Sequence, residues 1–340
     1  MSTDLRNRLF EQLDSLVLID PHTHIDALSP ASTNLSEILG YHYYTELAHS
    51  AGLPQKQIEA PEITPREKVG LLLNNLEPIQ NTIQYSWLIE MCQQFFGFEG
   101  DIIDGSNWEQ VYDDAQAKMD EPDWAQQVLA QSGLEAVFLT NDFDDPLEGF
   151  DTSVYIPCLR TDDLVFHLAK DSVRERLEVC TNISIENLGS LTQCLEHLFT
   201  HFTRENAKAC AISLPPWFVP REVNYGEAET ALEQIQTNGE QAAPEHKESM
   251  ACWVFWKLAE LCDEFRLPFD LMIGVNRSVY PGGVYQGMDL YDSRVSLIQY
   301  ADLFNAFPAV KFPVSVLASV TNQELASYSW IFPNVITNGH

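Results

Sequence analysis

Seven short apolar runs, each closed off by polar or turn residues, set the tightest limit on how this chain can fold. They fall at 16–20 (LVLID), 134–140 (LEAVFLT), 154–159 (VYIPCL), 207–213 (AKACAIS), 268–275 (PFDLMIGV), 309–312 (AVKF) and 334–338 (NVITN). Runs of this length suit strands better than helices. After residue 130 they alternate with helical periodicity. Leu188, Leu191, Leu195, Leu198 and Phe202 recur at spacings of three and four, and Trp253, Trp256 and Leu261 follow at three and five. Such alternation predicts parallel strands joined by crossover helices, and a run as uniformly apolar as VYIPCL predicts burial on both faces. The expected fold class is α/β: a (β/α)8 barrel of the TIM type, truncated before strand eight because the seventh run closes a 340-residue chain.

Two stretches break the rhythm. Residues 35–130 carry helical patterns such as Trp87, Leu88, Met91 and Phe95 but no strand pattern, which predicts a helical insertion after the first strand. Residues 221–248 are polar and too long for an ordinary connection, which predicts a surface lobe. The whole of 1–340 is expected to form one decorated barrel. With 19 Lys and Arg against 50 Asp and Glu, the net charge of −31 repels phosphate backbones and anionic lipid, so neither nucleic acid nor membrane is an expected partner. The seven cysteines are scattered, with no Cys-x-x-Cys pair, as suits a reducing cytoplasm.

Chemistry concentrates just after the first strand, in Asp20-Pro21-His22-Thr23-His24-Ile25-Asp26. Alternate residues of an extended chain point the same way, so His22 and His24 can offer two imidazoles to one divalent cation. The carboxyl end of a barrel strand is where such enzymes keep their sites.

From here the sequence resembles the amidohydrolase superfamily, and within it the uronate isomerases. GYHYYTELAHSAG at 40–52 resembles that family's Gly-Asp-His-Tyr-Lys-Trp-Arg segment, and NTIQYSWLIEMCQQFFG at 81–97 its Trp-centred helix before a Phe-Gly. LTNDFDDPL at 139–147 is similar to its Thr-Thr-Asp-Asp-Pro run, and IPCLRTDDL at 156–164 to its Phe-Arg-Pro-Asp-Lys segment. The collinear order of these stretches carries the resemblance across nearly the whole chain. It implies that His22 and His24 hold a divalent metal, with Zn2+ expected because imidazole suits it. It further implies that His42 and Tyr43 are catalytic, and that Arg160 and Arg277 bind substrate, Arg160 as a bidentate carboxylate clamp. Arg160 could instead be a strand-end salt bridge to Asp162 or Asp163, and His42 and Tyr43 could simply pack the insertion onto the barrel.

The departures are specific. Where the family has Ser-Asp-His after strand four, this chain has Ser213-Leu214-Pro215, and Met272 stands where strand five of the family carries a histidine. Asp292-Ser293-Arg294 repeats a family string at the wrong place, and His340, at the end of the seventh strand, is a further site candidate. The resemblance implies a metal-dependent aldose–ketose isomerase, an intramolecular oxidoreductase acting on a small sugar acid of the glucuronate-to-fructuronate type, with homo-oligomers as a partner class. The alternatives are a metal-dependent hydrolase or decarboxylase of another carboxylated substrate, and a non-catalytic sugar-acid-binding paralogue.

Overall fold

The computed structural model of the chain describes residues 3–291 and 294–338. Six of the seven apolar runs become strands, and the seventh, AVKF, contributes only Phe312 to one. They are β1 (Leu18–Asp20), β2 (Leu134–Phe138), β3 (Tyr155–Ile156), β4 (Cys158–Arg160), β5 (Ala209–Leu214) and β6 (Phe269–Ile273). A short pair, β7 (Val275–Asn276) and β8 (Leu290–Tyr291), is followed by β9 (Phe312–Val316) and β10 (Val335–Thr337). The run at 154–159 divides into β3 and β4 at Pro157, which has no N–H to give to a ladder. Asn141 splices the two sheets: its N–H donates to the Cys158 carbonyl (3.1 Å), and its own carbonyl accepts from the Arg160 N–H (3.0 Å).

The strand order is β1-β2-β3 in one sheet and β10-β9-β6-β5-β4 in the other. The pairs β2–β3, β4–β5, β5–β6, β6–β9 and β9–β10 are all parallel. This α/β architecture with parallel sheets matches the fold class expected from the strand–helix alternation. β9 begins only at Phe312 and runs through Pro313. A proline inside a run argues against a strand, so the sequence pattern alone points to AVKF instead.

The chain divides into two compact units. Unit one comprises 1–19, 25–135 and 277–290. Every element from Leu35 to Gln131 is helical, and its core gathers Leu39, Leu72, Leu88, Val111 and Trp124. Local sequence explains several helix boundaries. Thr64 and Glu67 form a reciprocal capping box around Pro65 at the start of Pro65–Leu73, and Gly97 ends Ile83–Phe96 in the left-handed region at φ 71°.

Unit two comprises 20–24, 136–276 and 291–340. Its strands bury one face against helices. Leu159, Cys210, Ile212, Leu214, Leu271, Phe312 and Val314 pack with the Leu188–Arg204 helix, whose Leu188, Leu191, Leu195, Leu198 and Phe202 are buried as their spacing predicts. The segment 221–248 differs from the expected surface lobe. It contains the Tyr225–Asn238 helix, which sends Ala228, Ala231, Leu232 and Ile235 into the same core, and the start of Pro244–Phe265. Four apolar residues at helical spacing suffice to bury one face of a helix that is otherwise polar.

Candidate active site

The opposite face of the unit-two sheet carries small and polar residues. Along β5, Ala209, Ala211 and Ser213 alternate with the core-facing Cys210, Ile212 and Leu214, and along β6, Asp270 and Met272 alternate with Phe269, Leu271 and Ile273. The register sets Ala211 beside Asp270 and Ser213 beside Met272, and Met272 in turn beside Ser315. A cavity of about 260 Å³ of atom-free space, part of it open to solvent, is lined by His22, Ala211, Asp270, Met272, Ser315 and Asn338 among others. Gly274 ends β6 at φ 104°, a conformation that a side chain would strain, and its N–H donates to the Leu214 carbonyl (3.0 Å).

At the rim of this cavity the turn after β1 is drawn against the end of β2. The Thr23 N–H donates to the Phe138 carbonyl (3.0 Å), and the His22 N–H to the Asp20 carboxylate (3.1 Å). His22 and His24 converge as the i, i+2 spacing predicts, with their Nε2 atoms 3.3 Å apart and their rings crossing at 88°. Two ligand nitrogens at ~2.0–2.1 Å from a tetrahedral Zn2+ are themselves roughly 3.3 Å apart, so the pair fits two positions of one shell. Among the described residues no group of three His, Cys, Asp or Glu side chains is arranged to hold a metal. The thioether of Met272 accepts from the Ser213 hydroxyl (3.9 Å) and stands where a harder donor would serve a divalent cation better.

Arg160 lies at the end of β4 with its side chain 37% exposed, and its Nε donates to Asp162 (3.2 Å). The other Asp162 oxygen accepts from the Ser213 N–H (3.3 Å), so this carboxylate ties the ends of β4 and β5 together. The strand-end salt bridge foreseen for Arg160 therefore forms, and it forms through Nε, which leaves the terminal nitrogens of the guanidinium for another partner. Asp163 pairs instead with Arg176 (3.0 Å), which also binds Asp144 and stacks over Phe143, holding the loop after β2.

In unit one, His42 and Tyr43 open the His42–Ser50 helix. His42 Nδ1 is 2.9 Å from Glu46 one turn on, and the His42 ring sits 4.4 Å from that of Tyr43 and 4.5 Å from that of Tyr41. Tyr43 is 44% exposed, whereas Tyr41 is held above its ordinary value first by burial and then by the charges of Tyr43 and Glu46. Arg277, also in unit one, pairs with Asp289 at 2.5 Å, and that carboxylate further accepts from the Ser278 N–H. His340 and the Asp292-Ser293 pair lie outside the described residues.

Sequence reasoning missed Asp270 and Asn338. Burial pushes the Asp270 carboxyl up to about 6, opposed by a hydrogen bond with Asn338. The signal was present, because an Asp inside the apolar run FDLMI must face something other than the hydrophobic core. Burial, followed by the neighbouring Cys210 and Asp270, raises the Cys158 thiol well above its ordinary value, so this cysteine is an inert packing group.

Comparison with known proteins agrees with this architecture. A uronate isomerase from Corynebacterium efficiens is 27% identical over 158 residues, covering 43% of this chain and 32% of that protein. One from Phenylobacterium zucineum is 29% identical over 109 residues, covering 28% of this chain and 22% of that protein. These alignments span about a third or less of the length of the curated relatives. The crystal structure of uronate isomerase from Thermotoga maritima superposes with a TM-score of 0.89 at 19% identity, covering 98% of this chain and 78% of that one. That of glucuronate isomerase from Caulobacter crescentus gives 0.86 at 17% identity, covering 98% and 75%. At those identities the superpositions establish a shared fold. The family assignment comes from the sequence, which matches the glucuronate isomerase family over residues 1–331, and the chain belongs to that family.

Proposed function

We propose that this chain is a metal-dependent uronate isomerase, interconverting an aldose sugar acid with its ketose form, and that its parallel strands belong to a (β/α)8 barrel carrying the helical segment 35–130 as an insertion. The observation that carries this reading is the convergence of His22 and His24 Nε2 at 3.3 Å, at the rim of the unit-two cavity in a chain of the glucuronate isomerase family. These two imidazoles would hold a divalent cation, with Zn2+ the first expectation, which would supply Lewis-acid polarisation of substrate oxygens.

The chain's own residues would do the rest. The terminal nitrogens of Arg160 match a uronate carboxylate as a planar fork, while Asp162 holds the guanidinium through Nε and fixes its direction. Isomerisation moves a hydrogen between neighbouring sugar carbons with no net oxidation, so it needs groups that take and return protons. We assign that work to His42 and Tyr43, and substrate binding to Arg277, on the resemblance of their segments to the family's. Glu46 at 2.9 Å supports the first role by orienting the His42 ring. Seven cysteines free of disulfides are consistent with a cytoplasmic enzyme.

The test is metal content together with sugar-acid binding. Purified protein should lose bound metal in the His22→Ala, His24→Ala double mutant, and wild type should bind glucuronate in calorimetry while ignoring glucose. Unchanged metal content in the mutant would overturn the metal assignment, and equal affinity for the two sugars would overturn the substrate class.

A further inference from the structure

We propose that Thr140 is a positioning residue that sets the tautomer of His24, placing the ring N–H on Nδ1 and the lone pair on Nε2, the atom through which it would ligate a cation. This rests on the reading of His22 and His24 as cation ligands. Thr140 lies two residues beyond β2, half-buried, with its hydroxyl between two groups from the turn after β1. The Thr23 carbonyl oxygen is 2.9 Å from Thr140 Oγ1 and can only accept, so it takes the single hydroxyl hydrogen. His24 Nδ1 is 3.1 Å from the same oxygen. With its hydrogen committed to Thr23, the hydroxyl can only accept from the ring, and Nδ1 must carry the N–H.

A neutral imidazole has one N–H, so the lone pair falls on Nε2, the atom that faces His22 Nε2 at 3.3 Å. The chain of bonds runs one way, from the ring N–H to the hydroxyl to the main-chain carbonyl. It ends on a group that cannot donate, and the Thr23 N–H bond to Phe138 (3.0 Å) pins that group to the end of β2. Reversal would set the Nδ1 lone pair against hydroxyl lone pairs or strip Thr23 of its donor. The ligating nitrogen is thereby chosen before any metal arrives, and the His24 ring is held in the orientation that points it at His22. Loss of an outer partner of this kind typically costs ~10–100-fold in metal affinity.

The experiment uses protein with 15N-labelled histidines, stripped of metal by a chelator and held at pH 7.5, with the His24 signals assigned from a His24→Gln variant. Long-range 1H–15N NMR of the wild type should show His24 protonated at Nδ1 and unprotonated at Nε2. Thr140→Val should shift His24 toward the Nε2–H tautomer and weaken Co2+ binding, followed by its visible absorption, about 10–100-fold. Thr140→Ser, which keeps the hydroxyl, should preserve both. An Nε2–H tautomer in the wild type overturns the proposal without reference to any variant, and so does Thr140→Val with unchanged tautomer or unchanged Co2+ affinity. Failure of the parent reading has a different signature: His24→Gln would bind Co2+ as tightly as wild type, whatever the NMR shows.

Discussion

Replacing Asp270 with asparagine is expected to stabilise the metal-free protein at neutral pH and to do little in acid. Asp270 faces the unit-two cavity from β6, and burial lifts its carboxyl from the ordinary 3.8 to about 6. At 1.36 kcal/mol per pH unit, that displacement corresponds to a penalty of about 3 kcal/mol for carrying the ionised group in the fold. In strong acid the carboxyl is protonated in folded and unfolded chains alike, and asparagine mimics it in size and polarity. As pH rises, the unfolded chain gives up its proton first, near 3.8, while the folded chain keeps it until about 6. Wild-type stability therefore falls across this window, and the penalty is complete above it. Asp270→Asn should match wild type near pH 3.5 and exceed it by up to about 3 kcal/mol at pH 7.5. Urea denaturation of both proteins across this range, on chelator-treated samples, measures the difference, and 13C NMR of the aspartate carboxyls locates the titration itself. Asn338→Leu should move that titration higher still, since the hydrogen bond with Asn338 is what holds it down. A pH-independent stability difference, or an Asp270 carboxyl titrating at its ordinary value, would refute the claim that this residue is buried without a compensating charge.

Three further outcomes follow from the contacts described. Arg176→Met should cost about 1.5–3 kcal/mol, the usual worth of hydrogen bonds to charged groups, because it releases both Asp144 and Asp163; loss of the effect in high salt would be expected, and no loss of melting temperature in low salt would contradict it. Phe255→Ala should cost about 3–5 kcal/mol in a thermal or urea melt, since the ring is fully buried between Phe218 and Phe269 at 5.2 Å from each; a change under about 1 kcal/mol would mean that the core collapses around the gap. Arg160→Met should lower stability by under about 1 kcal/mol, as its pair with Asp162 is partly exposed, yet weaken glucuronate binding by about 2–5 kcal/mol while sparing neutral sugars; calorimetric titration beside a melt of each protein distinguishes this from a purely structural salt bridge.

Six of the seven strand positions were legible in the sequence because short apolar runs closed off by polar residues, such as LEAVFLT or AKACAIS, can be little else, whereas Pro313 hid most of β9. The His22–His24 convergence was legible for a related reason: alternation along an extended chain is local geometry, needing nothing from distant residues. Helix faces such as Leu188 to Phe202 follow in the same way from the 3.6-residue period. What pairs across the chain was not legible. The Arg160–Asp162 pair, two residues apart, was one of two the sequence offered, but Asp163 bound to Arg176 and Arg277 bound to Asp289 are choices among many nearby carboxylates in a chain with 50 acidic residues, and only register and loop path decide them. The Tyr225–Asn238 helix reads as polar because its four buried side chains are outnumbered, and only the core beneath it reveals their use. Asp270 and Thr140 belong to the same class. One is exceptional for the low-polarity space it faces, and the other for lying 116 residues from the imidazole it touches. Burial and long-range contact are properties of the assembled sheet, set by which strands become neighbours, and spacing along a single strand carries no record of them.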